Sequence, residues 1–127
     1  MRLTAAFFAN HAEVVGGMLN LQGGFWASTT VAADANGFRT NAVVLCEVDT
    51  EDFDRAFTLA IDAEGPTGQR LLVTISKFTI EVPSLFMCLP NLVLPIQRGG
   101  GFHTYSFRID GQHERIDVRL AVRQALG

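Results

Sequence analysis

Hydrophobic and polar residues alternate along most of the chain, a pattern typical of β-strands that bury one face and expose the other. Every second residue is a large apolar one in AFTLAID (56–62), YSFRID (105–110) and RIDVRLAVR (115–123). β-Branched and aromatic residues are frequent in these segments, as is usual for pleated strands. The alternation therefore predicts an all-β protein.

Turns rich in glycine separate the alternating segments, because glycine adopts the positive φ that tight hairpins need. These turns are Gly16-Gly17, Gly23-Gly24, Asn36-Gly37, EGPTG (64–68), Gly99-Gly100-Gly101 and Asp110-Gly111. They delimit about eight or nine strands, which we expect near 2–9, 18–23, 25–32, 39–48, 55–63, 69–80, 90–97, 102–110 and 114–123. The pattern predicts one domain, residues 1–127, folded as a two-sheet antiparallel β-sandwich of immunoglobulin-like or C2-like type.

The segment DTEDFDRAF (49–57) is the one place where the sequence favours a helical turn. Thr50 can cap a short turn, and the acidic residues behind it suit the positive end of the helix dipole. We expect at most one short helical turn near residues 50–55. It connects two strands and adds no helical layer.

Asp110-Gly111 marks the clearest hairpin. A two-residue loop would pair Phe107 with Glu114, whereas a four-residue loop would pair Phe107 with Ile116. Both registers keep the apolar residues on one face of the sheet, so the sandwich is predicted in either case.

Charge and composition argue against two classes of partner. The net charge is −3 and Lys77 is the only lysine, whereas a nucleic-acid surface needs clustered basic side chains. No segment has the roughly 18 unbroken apolar residues of a membrane-spanning helix. The first apolar run stops at Asn10, which indicates a first strand rather than a signal peptide. We expect no nucleic-acid or membrane partner, and a protein that is cytoplasmic or associated with a virion.

The candidates for metal binding are His11 and Glu13, which share a face if their segment is a strand. Two ligands are too few for zinc, which takes three or four, and His103 and His113 lie far along the chain. The simpler interpretation is that His11 packs at a strand end and hydrogen-bonds to the backbone. We expect no metal site.

Catalytic patterns are missing from the sequence. No serine lies in a G-x-S-x-G turn and neither cysteine adjoins a histidine, although a nucleophile needs a neighbouring base. Glu51, Asp52 and Asp54 lie in a polar connection where nothing removes water from them to raise a pKa. We expect no catalytic residues, no cofactor and no enzymatic activity.

The two cysteines, Cys46 and Cys88, form no metal motif and no disulfide framework. Cys46 alternates with Val44 and Val48, which predicts a buried and unreactive thiol. A reduced pair is the simpler interpretation. A disulfide between them stays open as an alternative, because its geometry depends on distances that a sequence does not give.

An apolar segment, VPSLFMCLPNLVLPIQ (82–97), contains three prolines and no charge. Pro83 and Pro90 are expected to end strands, which leaves Leu85, Phe86, Met87 and Leu89 in an apolar connection. Such a connection plugs one end of the sandwich, forms an apolar ligand pocket or, with Trp26, presents a surface to a protein partner. We select Leu85, Phe86, Met87, Leu89 and Trp26 as the candidate partner-binding residues.

The opening stretch NHAEVVGGMLNLQGGFW (10–26) resembles the N-terminal hairpin of a family of small uncharacterised proteins from actinobacteria and their phages. The matching residues are Asn10, His11, Ala12, Gly17, Leu19, Gly23 and Gly24, while Met18 stands where the family has a lysine. FHTYSFRIDG (102–111) is similar to the penultimate strand of that family. The resemblance implies a compact β-sandwich and no particular activity.

Two functional hypotheses come from these features. The apolar segment favours a non-enzymatic interaction module that forms homo-oligomers or docks on a larger protein assembly, a phage capsid or tail being one candidate. The alternative is a sandwich that binds a small molecule or a carbohydrate, with Trp26, Tyr105 and nearby polar groups as its platform.

Overall fold

The structure is a computed structural model that describes residues 1–24, 26–81 and 86–126, and of residues 72–74 the backbone only. Within these ranges the chain forms nine strands and one 3₁₀ turn. The strands are β1 (Arg2–Val15), β2 (Met18–Gly24), β3 (Ser28–Val31), β4 (Gly37–Glu47), β5 (Ala56–Glu64), β6 (Arg70–Thr79), β7 (Phe86–Pro95), β8 (Gly101–Ile109) and β9 (Arg115–Gln124). The all-β prediction is confirmed. No helix in the described part of the chain has the length and apolar character required to span a bilayer.

The strands build two facing sheets, in the order β2-β1-β4-β7 in the first sheet and β3-β9-β8-β5-β6 in the second. The predicted β-sandwich is confirmed. All strand pairs are antiparallel except β3 and β9, which run parallel, so the expectation of wholly antiparallel sheets is wrong at that pair. The chain leaves the first sheet after Gly24 and joins the second beside its last strand, in the same direction.

The core between the sheets is centred on Phe8 of β1, which is fully buried. Its ring centroid lies 5.7 Å from that of Tyr105 and 6.0 Å from that of Phe107, both on β8 of the facing sheet. Trp26 and Phe38 contact the same ring at 5.5 and 6.5 Å. Tilted and edge-to-face aromatic pairs of this kind stabilise a core beyond their buried area, so Phe8 connects the two sheets.

A second apolar cluster includes Phe7, whose side chain joins a different set of residues from that of its neighbour Phe8. Phe7, Ala9, Ala12 and Val43 are buried in it, and Leu19, Leu45, Phe86 and Cys88 pack against them. Successive residues of a strand point to opposite faces. The first sheet is therefore apolar on both faces, which explains the run AAFFA at residues 5–9.

The apolar segment is not the connection that we predicted from its prolines. Phe86, Met87 and Leu89 belong to β7, which pairs with β4 along its length. Pro90 and Asn91 lie together opposite Asn41, so they form a bulge in which Asn91 takes a φ of 54°. A bulge tolerates proline because the extra residue has no partner in the ladder. The sequence shows the proline but not the bulge. The strand is therefore predicted at 90–97, whereas it spans Phe86–Pro95.

The two glycine pairs near the start of the chain have different roles. Gly16 and Gly17, with φ of 57° and 76°, form the two-residue turn between β1 and β2, as expected of paired positive φ angles. Gly23 and Gly24 end β2, and a Cβ on Gly23 would collide with the side chain of Asn10. The second pair is thus a close approach between strands rather than a hairpin turn.

The remaining local predictions concern one hairpin and one helical turn. Phe107 pairs with Ile116, which confirms the four-residue alternative for the hairpin at Asp110-Gly111. The predicted helical turn is a 3₁₀ turn over Thr50–Asp52, capped by Asp49 rather than by Thr50.

Replacing Phe8 by alanine is expected to lower the free energy of unfolding by about 3–5 kcal/mol, because the change opens a cavity where five aromatic rings meet. Urea unfolding followed by circular dichroism measures this loss. Phe102→Ala is the matched control, since Phe102 is 55% exposed and contacts the Arg119 guanidinium, and its loss should be about 1 kcal/mol or less. Similar losses for the two variants would contradict a core centred on Phe8.

Candidate functional site

The residues selected for partner binding do not form one surface. Met87, Leu89 and Trp26 pack partly buried against the main core, whereas Phe86 packs against the second cluster. Leu85, and Phe25 beside Trp26, lie outside the described residues. Because Phe86 and Met87 are consecutive in a strand, their side chains point to opposite faces.

The exposed apolar side chains lie elsewhere, and several of them are on a ribbon formed by β1 and β2. From His11 to Val15, β1 pairs with β2 alone, so the two strands continue beyond β4 as a two-stranded ribbon. Ala12 and Leu19 of this ribbon still pack with the second cluster. At its tip Val14, Val15 and Met18 are 52%, 53% and 68% exposed. The sequence analysis missed this tip, although the flanking residues of VVGGML carry the signal, apolar residues on both sides of a turn.

An apolar groove lies between the edges of the two sheets, where β7 faces β6 and β5. Its volume is about 470 Å³ and its lining is Ile61, Ile75, Ser76, Leu89, Pro90, Asn91, Leu92 and Val93. None of the described residues that line it is charged, and Ile75 and Val93 are more than half exposed. We call it the edge groove. Strands β2 and β7 are opposite edges of the first sheet, so the ribbon and the edge groove lie on opposite sides of the molecule.

A polar cleft of about 370 Å³, which we call the Trp26 cleft, lies between the first sheet and β3. Asn10, Asn41 and Asn91 come from the adjacent strands β1, β4 and β7, and the Pro90-Asn91 bulge brings Asn91 opposite Asn41. The full lining is Asn10, Trp26, Thr29, Thr30, Phe38, Arg39, Thr40, Asn41 and Asn91. The row of three asparagines could not be predicted from the sequence, because strand pairing brings together residues that are distant along the chain.

Trp26 joins this cleft to the core. Its ring packs on Phe8 and Phe38, and its indole N–H is buried without an acceptor among the described residues. A buried donor left without an acceptor costs about 1–3 kcal/mol. Tyr105, predicted to share a platform with Trp26, is fully buried, and its hydroxyl donates to the Pro95 carbonyl at 2.9 Å. Burial raises the pKa of Tyr105 well above its ordinary value, so Tyr105 belongs to the core and to no exposed platform.

The histidines do not come together. His11 lies on the exposed ribbon, where its Nε2 is 3.7 Å from a carboxylate oxygen of Glu13. The two side chains do share a face, but the predicted packing of His11 at a strand end is wrong, because β1 leaves the sandwich at that point. His113 is exposed, and no group of three or more His, Cys, Asp or Glu residues in the described ranges is arranged to hold a metal.

His103 is fully buried and bonded to backbone on both sides of its ring. Its Nε2 accepts a hydrogen bond from the Gln97 N–H at 2.8 Å, so Nδ1 carries the proton and donates to the Gly101 carbonyl at 3.0 Å. The ring stacks on Tyr105 with an interplanar angle of 10°. These contacts fix the crossing from β7 to β8 and leave His103 no role at the surface.

Asp52 is buried, contrary to the solvated position that we predicted for it; Glu51 and Asp54 are exposed. Its Oδ2 lies 2.7 Å from the Met1 ammonium and accepts a hydrogen bond from the Asp49 N–H at 2.9 Å. These contacts, the ammonium above all, lower the pKa of Asp52. A lowered pKa is the reverse of what a general acid needs, so Asp52 anchors the start of β1.

Neither Cys46 nor Cys88 forms a disulfide. Cys46 is buried with the main core and Cys88 packs in the second cluster, on the other face of the same sheet. Burial raises the pKa of both thiols, which lowers their thiolate fraction and reactivity. The buried and unreactive thiol predicted for Cys46 agrees with this placement.

Comparison with known proteins adds no identity to this picture. No protein-family model matches the chain, and no curated protein shows a significant match to it. The resemblance to actinobacterial and phage proteins stays a prediction. What the fold defines is a two-sheet β-sandwich with an apolar ribbon tip, an apolar edge groove and a polar cleft.

Replacing Asp52 by asparagine is expected to lower the melting temperature at neutral pH, because the variant loses the ion pair with the Met1 ammonium. The folded pKa of Asp52 is below its unfolded value, so its contribution is complete above about pH 4 and is lost as the pH falls through the folded pKa. The difference between the two proteins should therefore shrink in acid. Thermal unfolding from pH 2 to 7 measures it.

Glu51→Gln makes the same change of charge at an exposed neighbour and should leave the melting temperature nearly unchanged at every pH. A deficit of the Asp52→Asn variant that is independent of pH would show that its ion pair contributes nothing.

Proposed function

We propose that this protein is a non-enzymatic interaction module that self-associates head to tail, with the ribbon tip of one copy docked in the edge groove of the next. One observation supports this most strongly: an exposed apolar tip and an uncharged apolar groove lie on opposite sides of the same chain.

The ribbon tip has the properties of a docking element. Strand β2 makes its extensive contacts with β1 alone, so the tip is held away from the core. Val14, Val15 and Met18 are each more than half exposed, and Gly16 and Gly17 between the strands carry no side chain that would block close approach. Burying such side chains contributes roughly 25 cal/mol for each Å² of apolar surface removed from water.

The edge groove suits this partner because its lining is uncharged and mostly aliphatic. Sheet edges are usually protected by charged residues or proline. Strand β6 follows this rule with Arg70 and Lys77, but β7 carries no charge and has proline only at its bulge, Pro90, and at its last residue, Pro95. A partner that covers the groove also covers this edge.

The opposite positions of tip and groove determine the type of assembly. A contact between two different surfaces of one chain is heterologous, so it propagates into a closed ring or an open filament instead of stopping at a two-fold dimer. Attachment to a larger assembly such as a phage particle would use the copies at the end of such a chain.

The buried polar residues support a role without catalysis. His103 and Tyr105 are occupied by backbone partners, and Asp52 is held ionised by the Met1 ammonium. None of these groups combines a free proton-transfer site with an accessible surface, as general acid–base catalysis requires.

Met18→Asp at the tip and Ile75→Asp in the groove are each expected to abolish self-association, because a charge would be buried in an apolar contact. Light scattering at increasing concentration, from micromolar upward, should show oligomers of the unchanged protein and monomers of both variants. Both residues are exposed, so the variants should fold normally, which circular dichroism verifies.

Mixing the two variants tests the head-to-tail arrangement itself. The Met18→Asp chain keeps an intact groove and the Ile75→Asp chain keeps an intact tip, so the mixture should form one-to-one pairs and nothing larger. Leu126→Asp, at an exposed apolar residue outside both surfaces, is the control and should associate normally. A protein that is monomeric at every concentration, or variants that fail to pair, would overturn the proposal.

A further inference from the structure

We infer that the Trp26 cleft binds a small carbohydrate that carries a carboxylate group, such as a uronic acid. This site is separate from the ribbon tip and shares only Asn91 with the edge groove. It therefore adds a ligand to the proposed assembly role and does not depend on that role.

The cleft offers many hydrogen-bonding groups that the protein does not use. The side chains of Asn10, Asn91, Thr29 and Thr30 line it and make no hydrogen bond within the described residues. An amide both donates and accepts, and so does a hydroxyl. A sugar presents several adjacent hydroxyls of the same double character, whereas an apolar ligand would leave all of these groups without partners.

The frame of the cleft is fixed before any ligand arrives. The Asn41 amide donates to the Asn10 carbonyl at 2.8 Å, and its oxygen accepts from the Asn91 N–H at 3.3 Å. Thr40 donates to the Ala9 carbonyl at 3.3 Å, and Asn10 is packed against Gly23. These bonds tie three strands together, and a rigid frame reduces the entropy lost on binding.

Charge selects a ligand with a carboxylate. Among the described residues that line the cleft, Arg39 is the one that carries a charge, and it is exposed. Across the described ranges no carboxylate lies within ion-pair distance of Arg39. A guanidinium matches a carboxylate through two parallel hydrogen bonds. The carboxylate of a uronic acid would therefore provide the negative partner for Arg39.

Trp26 supplies the aromatic part of the site and an unmet donor. The indole lines the cleft together with Phe38, and its N–H has no acceptor in the described part of the chain. Carbohydrate oxygens are acceptors of the kind that this N–H lacks. The volume of about 370 Å³ lies in the range of small-ligand sites.

Fluorescence tests this inference directly, because Trp26 is the single tryptophan of the chain. Titration with D-galacturonate or D-glucuronate should change the tryptophan emission saturably, with a dissociation constant in the millimolar range or tighter. D-Galactose and D-glucose, which lack the carboxylate, should bind at least tenfold more weakly. Acetate and inorganic phosphate separate a carbohydrate site from a simple anion site.

Variants assign the binding to the cleft. Arg39→Gln should reduce uronate affinity at least tenfold, to the level of the neutral sugars, whereas Arg98→Gln, at an exposed arginine outside the cleft, should change nothing. Trp26→Phe, followed by calorimetry with its fold verified by circular dichroism, should weaken binding through loss of the N–H. The absence of a saturable response to both uronates, equal binding of acetate or phosphate, or an unaffected Arg39→Gln protein would overturn the inference.

Discussion

The packing of Phe8 against Tyr105 and Phe107 is the contact on which the sandwich depends. It places one ring of the first sheet against two rings of the second, at centroid distances of 5.7 and 6.0 Å. No disulfide links the two sheets, because Cys46 and Cys88 are not bonded and lie on opposite faces of the first sheet. Aromatic burial must therefore hold the sheets together. Trp26 and Phe38 extend the same ring cluster toward the polar cleft, so the core also positions the candidate ligand site.

The surfaces with functional potential arise where this packing stops. β1 contributes Phe8 to the core, but beyond Ala9 it loses its pairing with β4 and continues as the ribbon. β7 completes the first sheet, but its bulge at Pro90 and Asn91 shapes both the edge groove and the Trp26 cleft. His103 and Tyr105, in contrast, are bonded to backbone groups and hold the crossing between the sheets in place. These two buried side chains therefore have a structural role, and the surfaces able to bind a partner or ligand lie at the edges of the sheets.

Much of the fold can be predicted from the alternation of apolar and polar residues, and each wrong prediction has a physical cause. Alternation identified the sandwich and most strands, and Phe107 with Ile116 paired as one of the two predicted registers. Pro90 misled the prediction because a bulge accommodates a residue that a regular ladder rejects. The parallel pairing of β3 with β9 and the row Asn10, Asn41, Asn91 depend on contacts between distant segments, which local patterns do not encode. Asp52 was misplaced because its partner, the Met1 ammonium, is far away in sequence.

Hydrogen exchange of the backbone amides of β1 tests the central claim most directly, because this one strand spans both the core and the ribbon. Under conditions where the chain is monomeric, slowly exchanging amides in the segment up to Ala9 should open only when the whole protein unfolds. Amides from His11 to Val15 should exchange far faster, through local opening of the ribbon. Uniform protection along the whole of β1, or fast exchange around Phe8, would contradict a structure held together by the aromatic packing of that residue.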